Sequence, residues 1–89
     1  MRFKITEEIW KEGNMYVSHC PELDVSSCGH NIEAAKQNLK ETIQIYIEET
    51  QKMGTFERFI EECGLDTNEE GAYYSNKELI DFSSIEVAV

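Results

Sequence analysis

The sequence predicts a single α+β domain in which a three-stranded antiparallel meander is followed by a long helix on one face and a closing C-terminal strand. Three patterns predict this β-β-β-α-β order. Strand-like segments broken by turn residues occupy positions 2–28, apolar residues recur at helical spacing over 32–53, and apolar and polar residues alternate again over 85–89.

The first strand is predicted over residues 2–11, where alternate positions are apolar and give the strand one buried face, formed by Phe3, Ile5 and Ile9. Gly13-Asn14 follows, and both residues tolerate the positive φ of a two-residue hairpin turn. The second strand is therefore expected at residues 15–20, which are rich in Tyr and Val.

Pro21 ends the second strand, because it lacks an N–H for the ladder and suits the second position of a turn over residues 20–23. A short third strand over residues 24–28 then completes the meander.

A long amphipathic helix is predicted from Ile32 to Met53, with Asn31 as its N-cap and Gly54 as its stop. Its apolar stripe has steps of three and four residues: Ile32, Ala35, Leu39, Ile43, Tyr46 and Ile47. A helix of this length spans about 33 Å, so its far end should overhang the sheet or contact another chain.

The remaining chain is predicted to add a short helix, Phe56 to Cys63, a polar loop, Leu65 to Lys77, and the closing strand, Leu79 to Val89. The core would then comprise residues 2–53 and 79–89, with the short helix and loop at 55–78, all in one domain, 1–89.

Eight basic and eighteen acidic residues give a net charge of −10. Phosphate and anionic membrane surfaces are bound mainly through Lys and Arg, so direct nucleic-acid or membrane binding is not expected. The charge suits a basic protein partner, or simply high solubility. With no apolar leader and three cysteines in no disulfide spacing, the expected location is the cytoplasm, with reduced thiols.

No catalytic, metal or cofactor site is predicted. His19, Cys20, Cys28 and His30 have ligand chemistry, but His19 and Cys20 are adjacent in a strand and point to opposite faces. A Cys20–Cys28 cross-strand disulfide is geometrically possible but unfavoured in a reducing cytosol. No carboxylates from several strands converge as Mg²⁺ chemistry requires, so the chain is not expected to be an enzyme.

The predicted partner-binding residues are Trp10, Tyr16, Glu22 and Asp24. Trp10 and Tyr16 are assigned to the face opposite Ile5 and Ile9, where exposed aromatics are typical of interfaces; the alternatives are that they cover the hairpin's own backbone, or that the two faces are reversed. A further acidic run is either a solvated helix face or a surface that mimics phosphates: Glu48, Glu49, Glu57, Glu61 and Glu62.

Several motifs in fixed order give the sequence a family resemblance: His19-Cys20-Pro21-Glu22-Leu23-Asp24, Gly29, Asn31-Ile32-Glu33-Ala34-Ala35, Asn38-Leu39-Lys40-Glu41 and Ile45-Tyr46-Ile47-Glu48-Glu49. The chain resembles the HicB antitoxin family over about residues 2–50. The resemblance implies a partial RNase H-like fold with the last strand beside the first. It also implies a non-catalytic protein that covers the active site of a small, basic, HicA-type mRNA-cleaving toxin.

Two features depart from the family pattern. Asn31 and Ala34 replace the commoner Thr and Glu at the helix start. Fuller members also carry a C-terminal DNA-binding segment, whereas residues 65–89 here contain one Lys and no Arg. Direct operator binding is therefore not expected. The alternative function is a stand-alone structural or regulatory protein without a toxin partner. Homodimerisation, or a higher homo-oligomer, is expected because the core is thin and the sheet has open edges.

Overall fold

The computed structural model describes residues 1–89 and has a mixed α+β fold. A break at residues 5–7 divides the predicted first strand into β1 (Arg2–Lys4) and β2 (Glu8–Glu12). β3 (Met15–Cys20) and β4 (Val25–Gly29) complete the predicted antiparallel meander, in the order β2-β3-β4. The predicted hairpin turn is present, with Gly13 at φ 60° and Glu12 paired with Met15.

The long helix α1 (Ile32–Lys52) has the predicted N-cap, since Asn31 Oδ1 accepts a hydrogen bond from the Ala34 amide at 2.7 Å. Its C-terminal end is followed by Gly54 at φ 71°, a left-handed residue typical of helix stops. The buried side of α1 includes Ala35 and Leu39, which lie over the meander, together with Ile47 and Thr50.

Gly29 sets how closely α1 approaches the meander. A Cβ atom at this position would lie 2.6 Å from the Ala35 amide nitrogen and 2.7 Å from Ala34 Cβ. Only glycine lets the end of β4 and the first turn of α1 come this close.

The short helix α2 (Phe56–Glu62) is stopped by Gly64 at φ 68°. Two strands follow it, β5 (Leu65–Thr67) and β6 (Ala72–Ser75). Together with β1 they form a second three-stranded sheet in the order β1-β6-β5. The prediction of a loop over residues 65–77 is therefore wrong. Asn68 Oδ1 accepts hydrogen bonds from the amides of Glu70 and Ala72, which closes a turn between the two strands.

The closing strand lies beside the first strand, but it is β6, paired in parallel with β1, rather than residues 79–89. Residues 76–89 form no helix or strand, so the prediction of a strand from Leu79 to Val89 is wrong. The aromatic rings explain why residues 72–75 form it instead. Tyr73 stacks on Phe3 with centroids 4.9 Å apart, and Phe56 meets Tyr73 edge-on at 5.5 Å.

The buried core joins both sheets and both helices through Cys20, Leu23, Val25, Leu39, Ile60 and Leu65. The predicted stripe of α1 is buried only in part: Ala35, Leu39 and Ile47 are buried, Ile43 is partly exposed, and Ile32 and Tyr46 are exposed. No helix is long and apolar enough to cross a membrane.

Candidate partner-binding surface

The meander has one face covered by α1 and one face turned away from it. Ser18 and Cys20 define the covered face, since both are fully buried and Ser18 Oγ donates to the Ala35 carbonyl at 2.8 Å. Successive strand residues point to opposite faces. The other face, called the outer face here, therefore carries Glu8, Trp10, Glu12, Met15, Val17, His19, Ser26 and Cys28.

Trp10 is the middle residue of the edge strand β2, on the outer face. It is paired with Val17 across the hairpin, and 48 % of its surface is exposed. Its one aromatic neighbour is Phe82, whose ring centroid is 5.3 Å away. The outer face therefore presents a half-exposed indole with Glu8 and Glu12 on its own strand and Val17 opposite it, and exposed aromatic residues are typical of protein interfaces.

Tyr16 lies on the opposite face from Trp10, so its predicted assignment to the same side is wrong. The hairpin register pairs Glu12 with Met15, and Tyr16 therefore pairs with Lys11 on the face covered by α1. The Lys11 ammonium lies 5.9 Å from the centre of the Tyr16 ring, where a cation–π attraction operates.

His19 is held between two carboxylates at one end of the outer face. Its Nδ1 lies 2.8 Å from Glu8 Oε1, and its Nε2 lies 3.2 Å from Asp24 Oδ1. The hydrogen bond to Glu8, and then the one to Asp24, raises the pKa of His19 above its usual value. The His19 ring therefore links the β2–β3 strand pair to the turn that follows β3.

Asp24 is the most accessible acidic group of this cluster. It has a positive φ of 53° and a side chain that is 95 % exposed. Aspartate adopts this left-handed conformation more readily than most residues. Asp24 can meet a partner, although its contact with His19 already satisfies one of its oxygens.

Glu22 instead faces inward and closes the break between β1 and β2. Both of its carboxylate oxygens lie 3.0 Å from the Thr6 amide, and the Thr6 hydroxyl donates to Oε2 at 2.8 Å. Burial opposes the ionisation of Glu22, but hydrogen bonds from Thr6, from the Glu22 backbone amide and from Cys20 together outweigh it and lower the pKa of the carboxyl. Glu22, which was predicted to bind a partner, thus uses its carboxylate for hydrogen bonds within the fold.

Sequence reasoning did not identify the Glu8–His19–Asp24 cluster. The signal was present, because a two-residue turn at positions 13 and 14 pairs residues whose numbers sum to 27, and 8 and 19 are such a pair. The same sum places Tyr16 opposite Lys11 rather than beside Trp10.

The three cysteines differ in exposure: Cys20 is buried, Cys63 is partly buried and Cys28 is exposed. Cys20, Cys28 and Cys63 are free thiols. Burial raises the pKa of Cys20 to about 11, so this thiol stays protonated at neutral pH. No group of three or more His, Cys, Asp and Glu side chains is arranged to hold a metal ion.

A second exposed apolar region lies between α1 and α2. A groove of about 540 Å³ there is lined by Ile45, Tyr46, Met53 and Phe59 among others. The rings of Tyr46 and Phe59 are 5.2 Å apart. This end of α1, expected to overhang the sheet, is therefore partly covered by α2.

Comparison with known proteins identifies no relative: no family model, no curated protein and no solved structure matches the chain.

Proposed function

We propose that this chain is a HicB-like antitoxin that binds a small, basic, HicA-type toxin and blocks its access to mRNA. The toxin is the partner in this proposal, and the antitoxin performs no chemistry and needs no cofactor. The observation that carries the proposal is the ordered set of motifs from His19 to Glu49, in which the turn, the helix start and the helix body keep the spacing of that family.

The arrangement of elements supports the same proposal. A meander followed by a long helix on one face, with a closing strand beside the first strand, is compatible with the partial RNase H-like fold that the resemblance implies. The closing strand comes from Ala72–Ser75.

The outer face is the surface that we assign to the toxin. It combines an exposed indole, Trp10, with the carboxylate of Glu12, it has no helix over it, and the exposed Asp24 adjoins it through its contact with His19. An aromatic anchor supplies affinity at a protein interface, and acidic groups around it speed association with a basic protein. The net charge of −10 acts in the same direction over longer distances.

Co-purification tests the proposal. The chain carries an affinity tag and is co-expressed with the small basic proteins encoded beside its gene, and the retained proteins are identified. We expect one basic partner in a fixed ratio. A homo-oligomer that retains no partner and does not rescue cells from a toxic neighbour would favour a stand-alone structural or regulatory protein.

Matched substitutions then test the assigned surface. Trp10→Ala removes the anchor and is expected to weaken toxin binding by about tenfold or more, since central aromatic residues often contribute 2 kcal/mol or more. Tyr46→Ala is the control, because Tyr46 is 46 % exposed and lies on the α1–α2 groove. Equal losses in the two variants would contradict the assignment of the outer face.

A further inference from the structure

The C-terminal segment 79–89 exposes a large amount of apolar surface, which is unfavourable in water. Six large apolar residues among these eleven are at least 62 % exposed: Leu79, Ile80, Phe82, Ile85, Val87 and Val89. No hydrogen bond in the structure involves this segment's backbone. Its last five residues nevertheless alternate as a strand does, with Glu86 between two β-branched residues.

The edge strand β2 has five residues, and the N–H and C=O groups of alternate residues point away from β3 towards the free edge. β2 lies at the end of the order β2-β3-β4 and is hydrogen-bonded on one side only. The other edge of the same sheet is less accessible, because the Asn38 side chain donates to the Cys28 carbonyl of β4 at 2.7 Å. An open edge with free N–H and C=O groups readily accepts an additional strand.

We propose that residues 85–89 of one copy of this chain pair as an antiparallel strand with β2 of a second copy, and that the exchange is reciprocal. The five residues of the segment match the five of β2. Pairing them centre to centre places Val87 opposite Trp10 and Glu86 opposite Lys11. Pairs of an aromatic with a β-branched residue, and of opposite charges, are the cross-strand pairs that stabilise a sheet.

The geometry favours a second copy over the same chain as the recipient. Phe82 already contacts Trp10 of its own chain, with ring centroids 5.3 Å apart. Val87 comes five residues later, which corresponds to about 16 Å of extended chain. An extended segment therefore cannot place both Phe82 and Val87 at the same Trp10, whereas two chains related by a two-fold axis can each receive the partner's segment.

The charge distribution is compatible with this contact. The segment 79–89 has only two acidic residues, Asp81 and Glu86, of the eighteen in the chain. Two copies therefore meet through one of the least charged parts of a strongly acidic protein. The added strand extends the sheet sideways and places Val87 beside Trp10 at the rim of the outer face. The contact is made entirely by residues of this chain and needs no toxin.

Light scattering coupled to size-exclusion chromatography, over a concentration series of the full-length chain, tests the proposal. We expect a dimer for the unsubstituted chain and at least a tenfold weaker dimer for Val87→Lys, because a charged residue replaces an apolar cross-strand neighbour of Trp10. Ile45→Lys is the matched control; Ile45 is 61 % exposed on α1, and this variant should remain dimeric.

A charge exchange tests the register itself. Lys11→Glu and Glu86→Lys should each weaken the dimer severalfold, and the double variant should recover it. A chain that is monomeric at all concentrations, or a dimer that Val87→Lys leaves unchanged, would overturn the proposal. A dimer sensitive to Val87→Lys without recovery in the double variant would overturn the antiparallel register.

Discussion

At the scale of single residues, His19 makes the contact most sensitive to pH. It joins Glu8, in the neighbouring strand, to Asp24, in the turn, through both ring nitrogens. Both carboxylates favour the protonated ring, so the folded protein holds the His19 proton more tightly than the unfolded chain does.

The first prediction concerns this proton. Since the pKa of His19 is raised on folding, its contribution to stability is fully present below about 6.5, the value expected for the unfolded chain, and is lost as pH rises through the folded value. His19→Gln should remove this part of the pH dependence. The free energy of unfolding, measured with urea at pH values between 5.5 and 9, shows this dependence. If it changed with pH in the variant as it does in the unsubstituted protein, the role given to His19 would be contradicted.

Glu22 gives the second prediction. Glu22→Ala leaves the Thr6 amide and hydroxyl without their acceptor, so we expect a loss of about 1–3 kcal/mol in the free energy of unfolding. Glu12→Ala is the control, since Glu12 is exposed and should change stability by about 0.5 kcal/mol or less. Chemical denaturation measures both values, and equal effects would contradict the inward role of Glu22.

The same carboxylate sets a pH limit. Because the pKa of Glu22 is lowered on folding, its contribution is present above about 4.5 and is lost as pH falls through the lower folded value. The stabilisation by His19 is therefore lost on the alkaline side of the pH range, and that by Glu22 on the acidic side.

At the scale of elements, the meander and the long helix were predictable because each carries a local signal. Gly13-Asn14, Pro21 and Asn31 each have one strongly preferred backbone role. The boundaries at these positions lie within about one residue of the prediction.

The second sheet was not predictable from the same kind of signal. β5 and β6 are three and four residues long, and β6 is held to β1 by rings from three distant segments, Phe3, Phe56 and Tyr73. The better alternating pattern, at residues 85–89, remains outside the sheets. Local alternation cannot reveal that a competing segment has aromatic partners in the core.

Gly29 gives the prediction at this scale. Gly29→Ala introduces a Cβ that would lie 2.6–2.8 Å from backbone and side-chain atoms of Ala34 and Ala35, so the end of β4 and the start of α1 must separate. Overpacking of this kind costs about 1–3 kcal/mol. Ser26→Ala, on the exposed side of β4, is the control and should have little effect. Thermal unfolding compares the two; equal midpoints would show that the close approach is unimportant.

At the scale of the whole molecule, charge and shape leave two surfaces for other proteins. The outer face combines Trp10 with acidic groups and suits a basic partner, while the free edge of β2 suits a strand from a second copy. Side chains stand roughly perpendicular to the plane of the sheet, whereas an added strand pairs along its edge. The two proposed contacts therefore approach the sheet from different directions, and under both proposals a dimer would present two toxin sites.

The position of the candidate surface was only partly predictable. Trp10 was assigned to an exposed face because Ile9 next to it had to face inward, and the structure places it there. The roles of Glu8, Glu22 and His19 depend on the hairpin register and on the break at Thr6, which lies inside an apparently continuous strand pattern. Composition alone does not reveal such a break.

The measurement that tests the central claim most directly is RNA cleavage by the basic partner retained in the co-purification, titrated with this chain. We expect cleavage to fall in proportion to added chain and to end at a fixed stoichiometric ratio, with Glu12→Lys requiring more chain and the exposed control Glu69→Lys behaving as the unsubstituted protein. Cleavage that continues undiminished in excess of this chain would contradict the proposed antitoxin function.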